Sequence, residues 1–174
     1  MHETDHAVPA PFELKSFAEL TTAELYAILR VRAAVFVVEQ HCPYQDVDGL
    51  DEASLHLFAW NADHTELVAY LRIMPAGVAY PGAVGIGRVL TDGERGTGLG
   101  GRLLRAAVAA IDDIYDHPII RLAAQQHATG FYAREGFVPC SEPFDEDGIP
   151  HVEMIRPATQ SAATQSAATQ SVVA

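Results

Sequence analysis

Apolar residues change their spacing several times along this chain, and each change marks an element. From Leu25 they recur every three or four residues through Ile28, Leu29, Ala33 and Phe36, which predicts a helix. Thr21, with Glu24 three residues on, supplies a capping box at its start, and the pattern carries it to about Val38. Pro43 and the acidic stretch Asp46 to Glu52 then predict a long loop. Leu55 to Trp60 and Leu67 to Ile73 read as strands, joined as a hairpin by Asn61-Ala62-Asp63-His64. Pro81-Gly82 turns the chain into a third strand, Val84 to Leu90, whose Gly85 and Gly87 let another backbone or a ligand approach closely. Helical spacing returns in Leu99, Leu103, Ala107, Ile111 and Ile114, the longest helix. Ile119 to Ala124 reads as a buried strand, Ala128 to Glu135 as a short helix stopped by Gly136, and Phe137 to Ile155 as two strands around the turn Asp147-Gly148. This order predicts a mixed α/β fold.

From Ala158 the unit Ala-Thr-Gln-Ser-Ala recurs every five residues, without charge or an apolar face, so residues 157–174 are expected to be a disordered tail. Residues 1–13 are expected to be a flexible N-terminus, leaving one domain over 14–156. With 49% apolar and 20% charged residues, a chain of 174 residues suits a single core. Eleven basic residues against twenty-three acidic give a net charge of −12, which excludes nucleic acid and an anionic membrane as expected partners. Two cysteines, Cys42 and Cys140, make no disulfide scaffold, and no long apolar run marks a leader or a span. A soluble cytoplasmic protein is expected. Its oligomeric state, a homodimer included, is left open.

The chemistry gathers at Arg95-Gly96-Thr97-Gly98-Leu99-Gly100-Gly101, between a strand and the longest helix. Backbone N–H groups and the positive end of a helix dipole converge there, glycines let the main chain approach oxygen atoms, and Arg95 adds charge. With Arg88, Arg102 and Arg105 nearby, this reads as a cradle for a phosphorylated ligand. Gly96-x-Gly98-x-x-Gly101 also satisfies a dinucleotide fingerprint, but the acid expected about 20 residues on is replaced by Leu122-Ala123-Ala124-Gln125. A Walker loop is excluded because Lys15 is the sole lysine. His41, Cys42, His56, His127, Cys140 and His151 show no paired ligand spacing, so no metal is expected.

Read as Arg-x-x-Gly-x-Gly, residues Arg95, Gly98 and Gly100 resemble the acyl-coenzyme A pyrophosphate motif of the GNAT acetyltransferases. Val89-Leu90-Thr91 resembles the family's splayed strand, and Phe131-Tyr132 with Gly136-Phe137 its following helix. Residues 34–44, Asp48-Gly49 with Asp51, and Asp147-Gly148-Ile149-Pro150-His151 resemble the ElaA-type branch. The resemblance covers residues 14–156. It implies a strongly twisted central sheet flanked by helices, with Val89, Leu90, Thr91 and residues 95–101 binding acetyl-coenzyme A as co-substrate. It further implies N-acetyl transfer to a primary amine, small or peptidyl, by direct attack without an enzyme nucleophile. Tyr132 is then the candidate general acid, its reference near ~10 letting it share a proton with the thiolate without a large shift. Glu39 and His151 are the candidate bases. Where many members carry an asparagine before the tyrosine helix, this chain has Gln125, Gln126 and His127. The acids of residues 39–52 and 142–153, without a basic residue among them, predict a face that attracts a cationic amine. Two other readings stand beside this one: an NAD-binding Rossmann-like oxidoreductase and a catalytically silent coenzyme A sensor.

Overall fold

The capping box at Thr21 forms in full. Thr21 Oγ1 accepts the Glu24 N–H at 3.2 Å, and the Glu24 carboxylate accepts the Thr21 N–H at 2.8 Å. Helix α1 (Thr22–Arg32) follows and continues as a π-helical stretch, Ala33–Glu39, to the end the apolar pattern predicts. Such wide turns inside helices gather at functional sites. Here the stretch leads Phe36, Gln40 and Cys42 to the cleft described below.

The computed structural model describes residues 12–93 and 96–159. Eight strands make one sheet: β1 (Glu13–Ser16), β2 (Leu55–Trp60), β3 (Leu67–Met74), β4 (Val84–Thr91), β5 (Ile120–Gln125), β6 (Val138–Pro139), β7 (Phe144–Glu146) and β8 (Ile149–Arg156). Their order is β1-β2-β3-β4-β5-β8-β6, with β7 also paired to β8. The first four run antiparallel, and β4 and β5 form the parallel pair. Helix α2 (Leu99–Tyr115) connects these two, and α3 (Thr129–Ala133) leads from β5 toward β6.

Each face of the sheet has its own core. Leu103, Leu104, Ala107 and Ile111 of α2 pack with Leu71, Ile73, Ile86 and Leu122. Ile28 and Val31 of α1 pack on the opposite side with Phe58, Tyr70 and Leu90. A central strand such as β3, covered on both faces, therefore reads as a nearly continuous apolar run.

Three local expectations change. β1 was not anticipated; Leu14 and Ser16 pair with Leu57 and Leu55 at the sheet edge. The segment from Phe137 makes three strands rather than two, because Pro139 and Pro143 lack the N–H a continuous ladder needs. Ile114 is 48% exposed instead of joining the core stripe, since it lies in the last turn of α2, just before Asp116 (φ 54°) ends the helix.

Candidate active site

β4 creates the site by leaving its neighbour. It is bonded to β5 only at Val84–Ile120 and Gly85–Arg121, although the strands continue to Thr91 and Gln125. The cause lies on the other edge of β4. Between the pairs Arg72–Gly87 and Tyr70–Leu90, two steps along β3 face three along β4. This is a β-bulge at Arg88–Val89, with Arg88 in the left-handed region at φ 55°. A bulge bends its strand and increases its twist, so it carries β4 away from β5. The gap is part of a cleft of about 460 Å³. Val89 and Leu122 line it from the two strands, Tyr132 from α3, Phe36 and Gln40 from the π-helical end, and His151 from β8.

At the C-terminal end of β4, Gly98 (φ 77°) makes the left-handed turn that starts α2. The Arg102 N–H reaches back to the Gly98 carbonyl at 3.1 Å. The N–H groups of Gly100 and Gly101 belong to the first turn, which has no intrahelical acceptors, while the Leu99 N–H donates to Thr97 Oγ1 at 3.4 Å. Gly100 faces the end of β4: a Cβ there would lie 3.5 Å from Phe131 and 3.7 Å from Thr91. Strand end, helix start and α3 thus meet around bare main chain, a geometry that fits a diphosphate. Arg102 stays beside this turn, donating to the Thr97 carbonyl at 3.3 Å. Arg105 instead pairs with Glu135. Arg95 and Glu94 lie outside the described residues.

Tyr132 is 9% exposed, with its ring edge-on to Phe131 and Phe137. Burial pushes its phenol up to about 12, so it does not keep the near-reference acidity expected from sequence. His151 stacks on Phe144 and donates Nδ1–H to the Ile149 carbonyl at 2.8 Å, which leaves Nε2 as the unprotonated nitrogen of the neutral ring. Glu39 stands exposed at the end of the π-helical stretch and does not line the cleft, while the adjacent Gln40 does. Gln40 accepts from Gln125 at 3.3 Å, so this glutamine, one of the three residues before the tyrosine helix, is engaged across the cleft. Cys42 Sγ contacts the Asp147 carbonyl at 3.6 Å, tying this wall to the β7–β8 turn.

Comparison with known proteins decides the family. The acetyltransferase (GNAT) domain description matches residues 25–156. The chain is 41% identical over 147 residues to protein ElaA of Escherichia coli K12, covering 83% of this chain and 94% of ElaA. The chain belongs to the GNAT acetyltransferase family. A crystal structure of an acyl-CoA N-acyltransferase from Pseudomonas aeruginosa superposes with a TM-score of 0.78 at 44% identity, over 84% of this chain and 98% of that one. The crystal structure of Escherichia coli ElaA gives 0.78 at 39% identity over the same shares. As a GNAT protein the chain is an N-acetyltransferase, and the fold is one that binds acyl-coenzyme A. The Rossmann-like alternative is overturned by this match and by a sheet with one parallel pair.

Sequence reasoning missed the charge cluster in the wall of the GNAT cleft, which Tyr44, Asp48, Arg72 and Arg88 help to line. Arg32 and Arg72 are buried charges, Arg32 fully so. Arg32 Nε bonds Asp46 Oδ2 at 2.9 Å and its Nη1 bonds Asp51 Oδ1 at 2.7 Å. Arg72 holds both oxygens of Asp48 at 2.7 Å and Asp51 Oδ1 at 2.8 Å. Arg88 joins Asp46 and Asp48 at 2.7 and 3.1 Å, over the Tyr44 ring. Two expectations are corrected. Asp46, Asp48 and Asp51 are neutralised by arginines from α1, β3 and β4, so the acidic loop is no free negative face. Arg88 belongs to this cluster and not to the phosphate cradle. The available signal was Arg72 inside an apolar strand and Arg32 four residues after Ile28 on a buried helix face: charges so placed need partners.

Among the described residues no helix is long and apolar enough to cross a membrane.

Proposed function

We propose that the protein transfers an acetyl group from acetyl-coenzyme A to a primary amine, which attacks directly in a ternary complex. The observation that carries this reading is the parting of β4 from β5 above a left-handed glycine turn at the start of α2. An extended pantetheine can add to the open edge of β4 while the first turn of α2 faces the diphosphate. When bound, the coenzyme supplies a thioester, an acyl group on a leaving group that departs readily.

The chain's own residues then have distinct tasks. The main chain from Val89 to Thr91 lies along the acyl group, with an N–H placed to polarise its carbonyl. Tyr132 donates a hydrogen bond to the sulfur. A primary amine with a pKa near ~10.4 must lose a proton at pH 7, a cost of about 4–5 kcal/mol, and a base within reach lowers it. His151 takes this role in the proposal, because it lines the cleft and its Nδ1–H is already committed to a carbonyl. Glu39, outside the lining, is the second candidate. A cationic acceptor is favoured by Glu146 and Asp147 on the cleft rim, the carboxylates left after the buried cluster is neutralised.

A thiol-release assay with acetyl-coenzyme A against polyamines, amino acids, aminoglycosides and lysine peptides tests the reading. At least one amine should release coenzyme A in proportion to acetylated product. His151→Ala should lose about 100-fold in kcat/KM at pH 7 and recover as pH approaches ~10, where the amine deprotonates unaided. Donor binding without turnover across the panel would favour the silent sensor.

A further inference from the structure

We propose that Arg88, anchored by Asp46, is a positioning residue that locks the β4 bulge and thereby fixes the main chain at Val89 against the acyl carbonyl. The inference rests on the acyl-transfer reading above.

Arg88 is a non-glycine residue at φ 55° in the middle of a strand. An L-residue adopts this conformation only where its surroundings impose it, and such positions gather at functional sites. The surroundings here are explicit. Arg88 Nε donates to Asp46 Oδ1 at 2.7 Å, and Nη2 donates to the Asp46 carbonyl and to Asp48 Oδ2, each at 3.1 Å. Asp46 is itself held by two further side chains. Arg32 binds its Oδ2 at 2.9 Å and its carbonyl at 2.8 Å, and the Tyr44 hydroxyl binds Oδ1 at 2.9 Å. Arg32 is on α1 and Arg88 on β4, so Asp46 ties the helix to the strand.

Arg88 and its C-terminal neighbour Val89 both line the cleft. The bulge comprises these two residues, and it is where β4 takes the path that leaves β5. Without the Arg88 tether, the cheapest relaxation is to pull this residue back to negative φ, which rotates the following peptide. A donor aimed at an oxyanion tolerates little such rotation. Arg88 is therefore assigned to the alignment of the reacting carbonyl and not to the grip on the diphosphate, which sits at the start of α2.

Two substitutions with opposite backbone preferences test this. Arg88→Ala and Arg88→Gly delete the same hydrogen bonds and leave Asp46 paired to Arg32 and Asp48 to Arg72, so both retain the buried cluster. Glycine accepts φ 55° without strain and alanine does not. We expect Arg88→Ala to lower kcat about 100-fold with the Kd for coenzyme A within about 3-fold of wild type, and Arg88→Gly to recover at least about 5-fold of the loss. In infrared difference spectra of bound ¹³C-acetyl-coenzyme A, the thioester carbonyl band should move toward its free position in Arg88→Ala and less so in Arg88→Gly. Alanine and glycine variants that are equally slow, or a carbonyl band unmoved in Arg88→Ala, would overturn the assignment while wild-type turnover keeps the acyl-transfer reading intact. Absence of wild-type turnover with every amine would instead remove the reading beneath it.

Discussion

Tyr132 shows how burial decides what a residue can do. At about 12, its phenol is a weaker acid than free tyrosine. The leaving thiol has a pKa near ~8.5, so full proton transfer from Tyr132 to the thiolate is uphill by about 3.5 units, or about 5 kcal/mol. In the proposed reaction its contribution is a hydrogen bond to sulfur as charge develops, with the proton staying on oxygen. Tyr132→Phe should accordingly lower kcat about 10- to 1,000-fold without abolishing turnover. The pH profile carries the sign: a raised value keeps the phenol protonated through pH 10, where an ordinary tyrosine is half ionised. Wild-type kcat should show no tyrosine-linked fall between pH 8 and 10. A decline centred near 10 that vanishes in Tyr132→Phe would contradict the burial argument. His151 illustrates a different limit, since its sequence neighbours place it on a hairpin but do not disclose that Nδ1 is spent on the Ile149 carbonyl.

Among the elements, the glycine turn at the start of α2 and the β7–β8 turn make the sharpest comparison. Gly98 (φ 77°) and Gly148 (φ 82°) are both left-handed, one at the start of α2 and the other in the β7–β8 turn. Alanine at either position is strained by about 1–2 kcal/mol, so both variants should melt earlier. Only Gly98 adjoins the proposed donor cradle, and if its strain is taken up on binding, Gly98→Ala should raise the Kd for coenzyme A about 5- to 30-fold. Gly148→Ala should leave that constant unchanged; calorimetric titration separates the two. The strands, the long helix and the glycine turn that starts it were legible because each has a local signature: period two, period 3.6, or glycines flanked by a strand and a helix. The bulge was not, since it is a mismatch between Arg72–Gly87 and Tyr70–Leu90, and register is a property of two strands rather than of either one. The short strand β1 escaped for a similar reason. Leu14 and Lys15 acquire strand geometry from pairing with Leu57 and His56, and their own spacing carries little signal.

At the scale of the whole molecule, the buried charges link α1, the acidic loop and the sheet, and they make folding depend on acid. Burial alone raises the Asp48 and Asp51 carboxyls, but the arginine hydrogen bonds, helped at Asp48 by the Leu50 N–H, outweigh it and hold both below the usual range. His56 moves down because burial disfavours its cation. Its neighbours also fix the neutral ring: Nε2–H donates to the Asp51 carbonyl at 3.1 Å, and Nδ1 accepts from the Tyr70 hydroxyl at 2.9 Å. All three groups are depressed in the folded state, so in acid the unfolded chain binds more protons, and stability falls as pH falls. The loss begins below ~6.5, where an unfolded histidine protonates and His56 resists, and it steepens below ~3.9, where unfolded carboxyls do the same. Urea midpoints measured from pH 8 to pH 3 should trace these two stages. His56→Gln preserves a donor toward Asp51 and an acceptor toward Tyr70 but cannot titrate, so it should flatten the decline between pH 6.5 and 5 while leaving the steep part in place. Arg72→Met should lower stability near neutral pH by about 3–5 kcal/mol, and by less in strong acid, because Asp48 and Asp51 lose a shared buried partner that acts on their ionised forms. An unaltered slope above pH 5 in His56→Gln would show that the upper stage arises from other groups and that His56 is a spectator in the acid response.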